Sequence, residues 1–331
     1  MEGCESTEEL CSNSLYPCPS VLLRVRLLSE RKMPLFRYAF SSMGSPCEIQ
    51  IEADDESIAR AAALKAQAEV ARLDEKYSHY RDDNWLARLC ASAGSGQAVE
   101  LDEEAANLID FAAALHAQSD GRFDITAGAL TKLWDLQSGR VPTRADIDTA
   151  RAHVGWHRVT WRRPFLSLPV TGMRIDLGGV VKEYAADRAA EICRNHGAQH
   201  GIVELGGDLA VIGAHADGSA WLAGIKSPRN PQRVHASVEL AHGGLATSGD
   251  YERVMIVDGK RYSHIVDPTS GYPVESFASV SVLADSCLVA GAASTLAMLF
   301  GVERGGRYLR ELGLPSLTID ADGRAGGSRA I

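Results

Sequence analysis

Apolar positions along the chain switch between two spacings, and the switches divide it into elements. From 36 to 53, "FRYAFSSMGSPCEIQIEA" alternates apolar and polar residues and reads as a strand broken at Gly44 and Pro46. "DESIARAAALKAQAEVARLDEKYS" then predicts a long alanine-rich helix, and "NWLARLCAS" a shorter one. In "LDEEAANLIDFAAALHAQSDG" (101–121), Leu108, Ile109, Ala112 and Leu115 share one helical face. Acidic residues fill its first turn and Gly121 stops it. "TRADIDTARAHVG" reads as a helix with a threonine at its start and Gly155 at its end, and "WHRVTWRRPFLSLPV" as two short strands.

From 172 onward the pattern is strand, helix, then strands. "MRIDLG" predicts a strand and a helix follows from 180. "GIVELGG", "LAVIG", "WLAGI", "VHASVEL", "RVMIV" and "RYSHIV" are strand-like, with Asp258-Gly259 a hairpin turn between the last two. "SFASVSVLA" feeds a helix over 286–300, and a further helix and strand close the chain. Strand runs interleaved irregularly with helices predict an α+β fold, with mixed or antiparallel sheets and packed helices. Residues 1–32 carry neither period, so they are expected to be a tail or an over-long start preceding one domain over 33–331.

Of the 331 residues 45% are hydrophobic, enough for a substantial core. The net charge of -9 excludes a nucleic-acid surface, which needs clustered Lys and Arg, and points to protein or small-molecule partners. No apolar run reaches the roughly 18–20 residues of a membrane span, so no transmembrane segment is expected. "VLLRVRLL" (21–28) is broken by Arg24 and Arg26 and lacks a cleavage site, so no export signal and a cytoplasmic location are expected. Of seven cysteines, Cys4, Cys11 and Cys18 do not match zinc-knuckle spacing. Cys47, Cys90, Cys193 and Cys287 are solitary in apolar surroundings, as buried free thiols would be.

Some segments break local rules, which is where a site is expected. In "RIDLGGVVKEYAADRAAE" (174–191), Asp176 precedes two glycines and a helix opens with Lys182 and Glu183. A first-turn lysine opposes the helix dipole unless something compensates it, and free N–H groups there can hold a phosphate. Glu183 and Asp187 are a like-charged i, i+4 pair, costing about 0.2–0.5 kcal/mol. In "GIVELGGDLAVIG" the glycines lead into a strand, which excludes a dinucleotide-binding loop and predicts a hairpin with a close backbone approach. "ATSGDYERV" and "RYSHIVDPTSGYPV" complete the set. His264 in the latter has either of two roles, a proton acceptor for a hydroxyl nucleophile or a hydrogen-bonded structural histidine.

Taken in order, "SSMGSPCEI", "DGRFDITAGALTKLW", "RIDLGGVVKEYAADRA", "VELGGDLAVIG", "ATSGDYER" and "RYSHIVDPTSGYPV" resemble the FAD:protein FMN transferase (ApbE) family over about residues 40–300. The resemblance implies an enzyme that uses FAD as substrate and Mg²⁺ as cofactor. Such an enzyme joins FMN to a Ser or Thr hydroxyl of an acceptor flavoprotein and releases AMP. It places Met43, Phe123, Asp124, Asp176, Lys182, His264 and Ile265 around FAD. The carbonyl of Gly179 and the hydroxyl of Thr295 would hold the metal, and His264 would act as acid/base with Asp267 as orienting partner.

Two positions depart from the family pattern. Glu183 stands where many members have Gly, and Gly291 where many have a metal-binding Asp. A lost carboxylate weakens a hard-cation site, and the expectation is that Glu183 replaces it, against the alternative that it points to solvent. Rival readings are an FAD pyrophosphatase yielding FMN and AMP, and a non-catalytic FAD-binding protein.

Overall fold

The computed structural model describes residues 21–24 and 33–328. Its centre is an eight-stranded sheet, every neighbouring pair of which is antiparallel. In chain order the strands are β1 (Leu35–Ser42), β2 (Ser45–Glu52), β3 (His200–Leu205), β4 (Asp208–Gly213), β5 (Gly244–Gly249), β6 (Phe277–Ala284), β7 (Ser316–Asp320) and β8 (Ala325–Ser328). Each strand pairs with its predecessor and its successor, so the sheet is an uninterrupted meander despite long insertions.

The helices are α1 (Glu56–Tyr77), α2 (Trp85–Ala91), α3 (Glu103–Gln118), α4 (Gly128–Leu133), α5 (Arg144–Arg151), α6 (Val181–Asn195) and α7 (Cys287–Leu312). Alternation sets the layers: Ile49, Ile51, Val203 and Leu205 face one way, into the main core with α1, α3, α6 and α7. Ile202, Leu209 and Leu245 face the other way, against a three-stranded sheet of Val21–Arg24, Trp221–Ser227 and Asn230–Leu240. A third cluster, built on Leu130, Trp134, Ile147, Met255 and Val266, ties α4 and α5 to the hairpin Val254–Val257/Lys260–Ser263.

The α+β reading holds, and the observed hairpin turn has Asp258 at φ 51 and Gly259 at φ 76. Cys47, Cys90, Cys193 and Cys287 are free and buried; Cys4, Cys11 and Cys18 lie outside the described residues. Three details differ from the sequence reading. Val21–Arg24, expected to be tail, pairs with Trp221–Ser227, a partner too remote in sequence to be anticipated. "MRIDLG" alternates like a strand, with Met173, Ile175 and Leu177 buried, but among the described residues it finds no strand to pair with, and its one bridge there joins Arg174 to Ala127. The last predicted helices join as α7, kinked at Gly301 (φ 81). By length and hydropathy α7 could cross a membrane, yet Ala290, Ala293, Leu296 and Ala297 on it are buried in the main core.

Antiparallel order positions the site. Segments that follow β1, β3 and β5 leave the sheet at the same end, so the turns at Met43–Gly44 and Gly206–Gly207 and the Asp250–Arg253 exit converge. Helix α1 returns from the far end and finishes there at Tyr77; α6 starts there and runs away before β3 returns. Helix α7 approaches this end from the opposite direction to α6.

Candidate functional site at the sheet end

A cleft of about 170 Å³ opens at that end, lined among others by Met43, Asp74, His79, Tyr80, Gly178, Lys182, Arg253 and His264. Its floor is the turn between β1 and β2. Met43 there takes φ 53, unusual for a residue with a side chain, and the Asp74 carboxylate on α1 holds it in place. The Met43 N–H donates to Asp74 Oδ2 at 2.6 Å and Ser42 Oγ donates to the same oxygen at 3.0 Å. Arg253 Nη2 donates to the Met43 carbonyl at 3.2 Å and Nη1 to Tyr80 Oη at 3.3 Å, closing the rim.

Lys182 has its compensating charge within the protein. Its Nζ lies 2.8 Å from Asp208 Oδ2, at the start of β4 just after the Gly206–Gly207 turn. Desolvation works against the ammonium, but Asp208, then Glu183 and Glu252, hold its pKa above the ordinary lysine range. It stays charged, and α6 starts without a side-chain cap at Val180, so cation and first-turn N–H groups face one side of the cleft.

Asp176 is held at the cleft wall by His79 Nδ1 at 3.2 Å, the Gly178 N–H at 2.8 Å and Thr131 Oγ1 at 2.8 Å. Burial alone would raise its pKa; His79 and these donors overcome it and keep the carboxylate ionised down to about 2. His264 lies opposite Arg253 at the open end of the 254–263 hairpin, its backbone N–H donating to the Arg253 carbonyl at 3.2 Å. The surrounding walls, then the Arg253 and Lys182 charges, lower its pKa below the ordinary value, so the imidazole is neutral at pH 7. Its Nδ1 is 3.4 Å from the same carbonyl, favouring a proton there and a free lone pair on Nε2.

The other expected site residues are distributed behind or beside the cleft. Phe123 is buried, its ring against Gly179, where a Cβ would meet Cε2 at 3.0 Å. The Asp124 carboxylate is engaged by the fold: Oδ1 accepts from the Thr126 N–H and hydroxyl and Oδ2 from the Trp156 N–H. Ile265 packs on the main core. Asp267, three residues after His264, begins a tight turn. Its Oδ1 accepts from Thr269 N and Oγ1, and its Oδ2 pairs with Arg122 at 3.0 Å, beside a separate shallow hollow. These contacts engage both carboxylate oxygens of Asp267 within the turn and with Arg122.

Beneath Lys182, Glu183 turns inward. It is 7% exposed, and its Oε2 has no hydrogen-bond partner among the described residues. Burial first, then Asp208, raise its pKa well above the carboxylate range. Its side chain occupies the space beside Gly291 of α7. One turn further along α7, Thr295 Oγ1 lies 3.1 Å from Ser248 Oγ of β5, which also meets Ser294 Oγ at 2.8 Å. Among the described residues no group of three or more His, Cys, Asp or Glu side chains gathers as a ready metal cage. The donors here are instead one orphaned carboxylate oxygen, hydroxyls and backbone carbonyls, an all-oxygen set suited to a hard divalent cation that keeps several waters.

Sequence reading missed Asp74, His79, Arg253 and Asp208. Arg253 and Asp208 lay inside motifs already singled out, whereas Asp74 and His79 sit on and just after an ordinary-looking helix and carried no local signal.

An α+β protein with a cleft at one end of an antiparallel meander, lined by Lys182 and Arg253 as well as Asp74 and Glu252, is the class that fold and site define. The sequence profile of the ApbE family matches residues 43–318, and the chain belongs to that family. The FAD:protein FMN transferase of Salmonella typhimurium is 31% identical over 292 residues, covering 85% of this chain and 83% of its own. The enzyme of that name from Vibrio cholerae is 32% identical over 263 residues, covering 76% and 78%. The crystal structure of the ApbE protein of Thermotoga maritima superposes with a TM-score of 0.83 at 31% identity, covering 89% of this chain and 97% of that one. These relatives are transferases, and the present protein is an enzyme of that class.

Proposed function

We propose that the protein transfers FMN from FAD to a Ser or Thr hydroxyl of an acceptor flavoprotein. The observation that carries this is the cleft itself: Lys182, Arg253, a neutral His264 and the uncapped start of α6 converge at one sheet end. Two cations beside free N–H groups suit a diphosphate, and a neutral imidazole suits a hydroxyl nucleophile.

In this reading the acceptor oxygen attacks the FMN phosphorus and a new P–O ester bond forms. The bond to the bridging oxygen breaks, and AMP leaves with that oxygen and its electron pair. The hydroxyl proton passes to His264 Nε2 and from there to solvent. Asp208 keeps Lys182 charged and aimed, and Asp74 with Arg253 fixes the Met43 turn that shapes the floor. Glu183, Thr295 and the Gly179 carbonyl would hold Mg²⁺. When bound, the ion would withdraw charge from the diphosphate.

Chromatographic quantification with FAD, Mg²⁺ and an acceptor domain tests the reading. AMP is expected to appear in equal amount to protein-bound flavin. AMP with an equal amount of free FMN, independent of acceptor, would make the enzyme a pyrophosphatase instead.

A further inference from the structure

Glu183 is a buried carboxylate with an orphaned oxygen, and something must take up that oxygen's hydrogen-bonding or charge. Its side chain lies where α7 lacks one. A Cβ built on Gly291 would come within 2.4 Å of Glu183 Cγ and 2.9 Å of both Cδ and Oε1. A side chain at 291 and the present Glu183 exclude each other. One turn away on each helix the contact recurs, where Asp187 accepts from the Cys287 and Leu288 N–H groups at 2.8 and 2.9 Å and caps α7.

These two contacts fix how α6 and α7 pass each other in opposite directions: 187 meets 287 and 183 meets 291. One further turn along α7 from Gly291 stands Thr295, level with the start of α6 at Val181. The Thr295 hydroxyl is shared there with Ser248. Hydroxyl and orphaned carboxylate therefore fall on neighbouring turns of one helix–helix seam, and Lys182, the residue before Glu183, lines the cleft.

We propose that this seam is a divalent-cation site whose carboxylate comes from α6 rather than α7. Glu183 projects across the gap that Gly291 leaves and supplies the anionic ligand beside Thr295 and the Gly179 carbonyl. The pair 183 and 291 is then one functional unit: acid on α6 requires no side chain on α7, and acid on α7 requires no side chain on α6. The asymmetry also explains why a like-charged Glu183 and Asp187 persist on one helix face, since one caps α7 and the other awaits a cation. The inference rests on the transferase reading for the cation's purpose but not for its existence.

The test is calorimetric titration of Mg²⁺ into the full chain, with and without saturating FAD, on wild type, Glu183→Gln and the double exchange Glu183→Gly/Gly291→Asp. Glu183→Gln is expected to weaken Mg²⁺ binding at least about tenfold, and the double exchange to recover most of that loss. Circular dichroism of each variant without metal confirms that it is folded. The metal-free Glu183→Gln protein is expected to melt no lower than wild type, because it loses an unpaired buried charge. Mg²⁺ affinity unchanged in Glu183→Gln, or no Mg²⁺ binding by wild type with FAD present, overturns the proposal. Flavin transfer measured separately distinguishes the two readings. Glu183-dependent Mg²⁺ binding without transfer removes the function and keeps the site, and transfer with Mg²⁺ binding indifferent to Glu183 does the reverse.

Discussion

Adding a single methyl group at Gly291 is the sharpest physical perturbation of the α6–α7 seam. In Gly291→Ala the new Cβ falls 2.4 Å from Glu183 Cγ, far inside the roughly 3.5–4.0 Å at which carbon atoms rest. The overlap is with the root of the side chain as well as its tip, so rotation of the carboxylate alone cannot relieve it. Overpacking of this kind costs about 1–3 kcal/mol, against which the helix gains up to about 1 kcal/mol from replacing glycine by alanine. A net loss of about 1–2 kcal/mol is expected. In a Glu183→Ala background the obstacle is gone, and the same Gly291→Ala change is expected to stabilise by up to about 1 kcal/mol. The sign reversal makes a coupling of about 2–3 kcal/mol, measurable by urea denaturation of the four proteins of a double-mutant cycle, followed by tryptophan fluorescence. Additive single changes, within about 0.5 kcal/mol, would show that Glu183 does not fill the space beside Gly291.

Other outcomes follow from the same geometry. Asp74→Ala removes the acceptor of both the Met43 N–H and the Ser42 hydroxyl, and a loss of about 2–3 kcal/mol is expected, with a raised KM for FAD in steady-state assays. Asp208→Ala strands Lys182 in the cleft and also frees the Thr247 N–H; destabilisation of about 3–5 kcal/mol in denaturant is expected. Glu204 pairs across strands with Glu48, and burial first, then Glu48, raises its pKa to about 8. The folded chain keeps a proton that the unfolded chain loses above its ordinary value. This contribution is therefore complete below about pH 4.5 and lost as pH rises through about 8, with a slope up to about 1.4 kcal/mol per unit. Glu204→Gln is expected to flatten that slope in stability measured across pH. His264→Asn is expected to abolish transfer while leaving Mg²⁺ affinity unchanged, and the wild-type pH–rate profile to have its acid limb below about 6.5.

Much of this was legible from residue order because the elements are locally consistent. The face Leu108, Ile109, Ala112 and Leu115 is buried as its spacing requires, and the threonine expected to open α5 forms a capping box with Asp146. Asp258-Gly259 and Gly206-Gly207 turn hairpins as glycine chemistry dictates. Lys182 and Glu183 stood out because both violate local preference, and both proved to have long-range reasons: Asp208 for the first and the gap at Gly291 for the second. What could not be read was contact between distant segments. Asp74 looks like one more helix-surface acid until β1 brings Met43 to it, and "MRIDLG" looks like a strand until no partner strand is found. The pairing of Asp267 with Arg122 likewise depends on a loop that no local pattern places. Resemblance supplied Met43, Phe123, Asp124, Asp176 and Ile265; in the structure Phe123 and Ile265 pack on the main core and the Asp124 carboxylate accepts from Thr126 and Trp156.

The central claim is that this chain forms a phosphoester between FMN and an acceptor hydroxyl. Intact-protein mass spectrometry of an acceptor domain incubated with enzyme, FAD and Mg²⁺ tests it most directly. The account predicts that the acceptor gains the mass of one FMN less one water, localised by peptide mapping to a Ser or Thr and lost in the Lys182→Met enzyme. An acceptor of unchanged mass while FAD is consumed to FMN and AMP would contradict it.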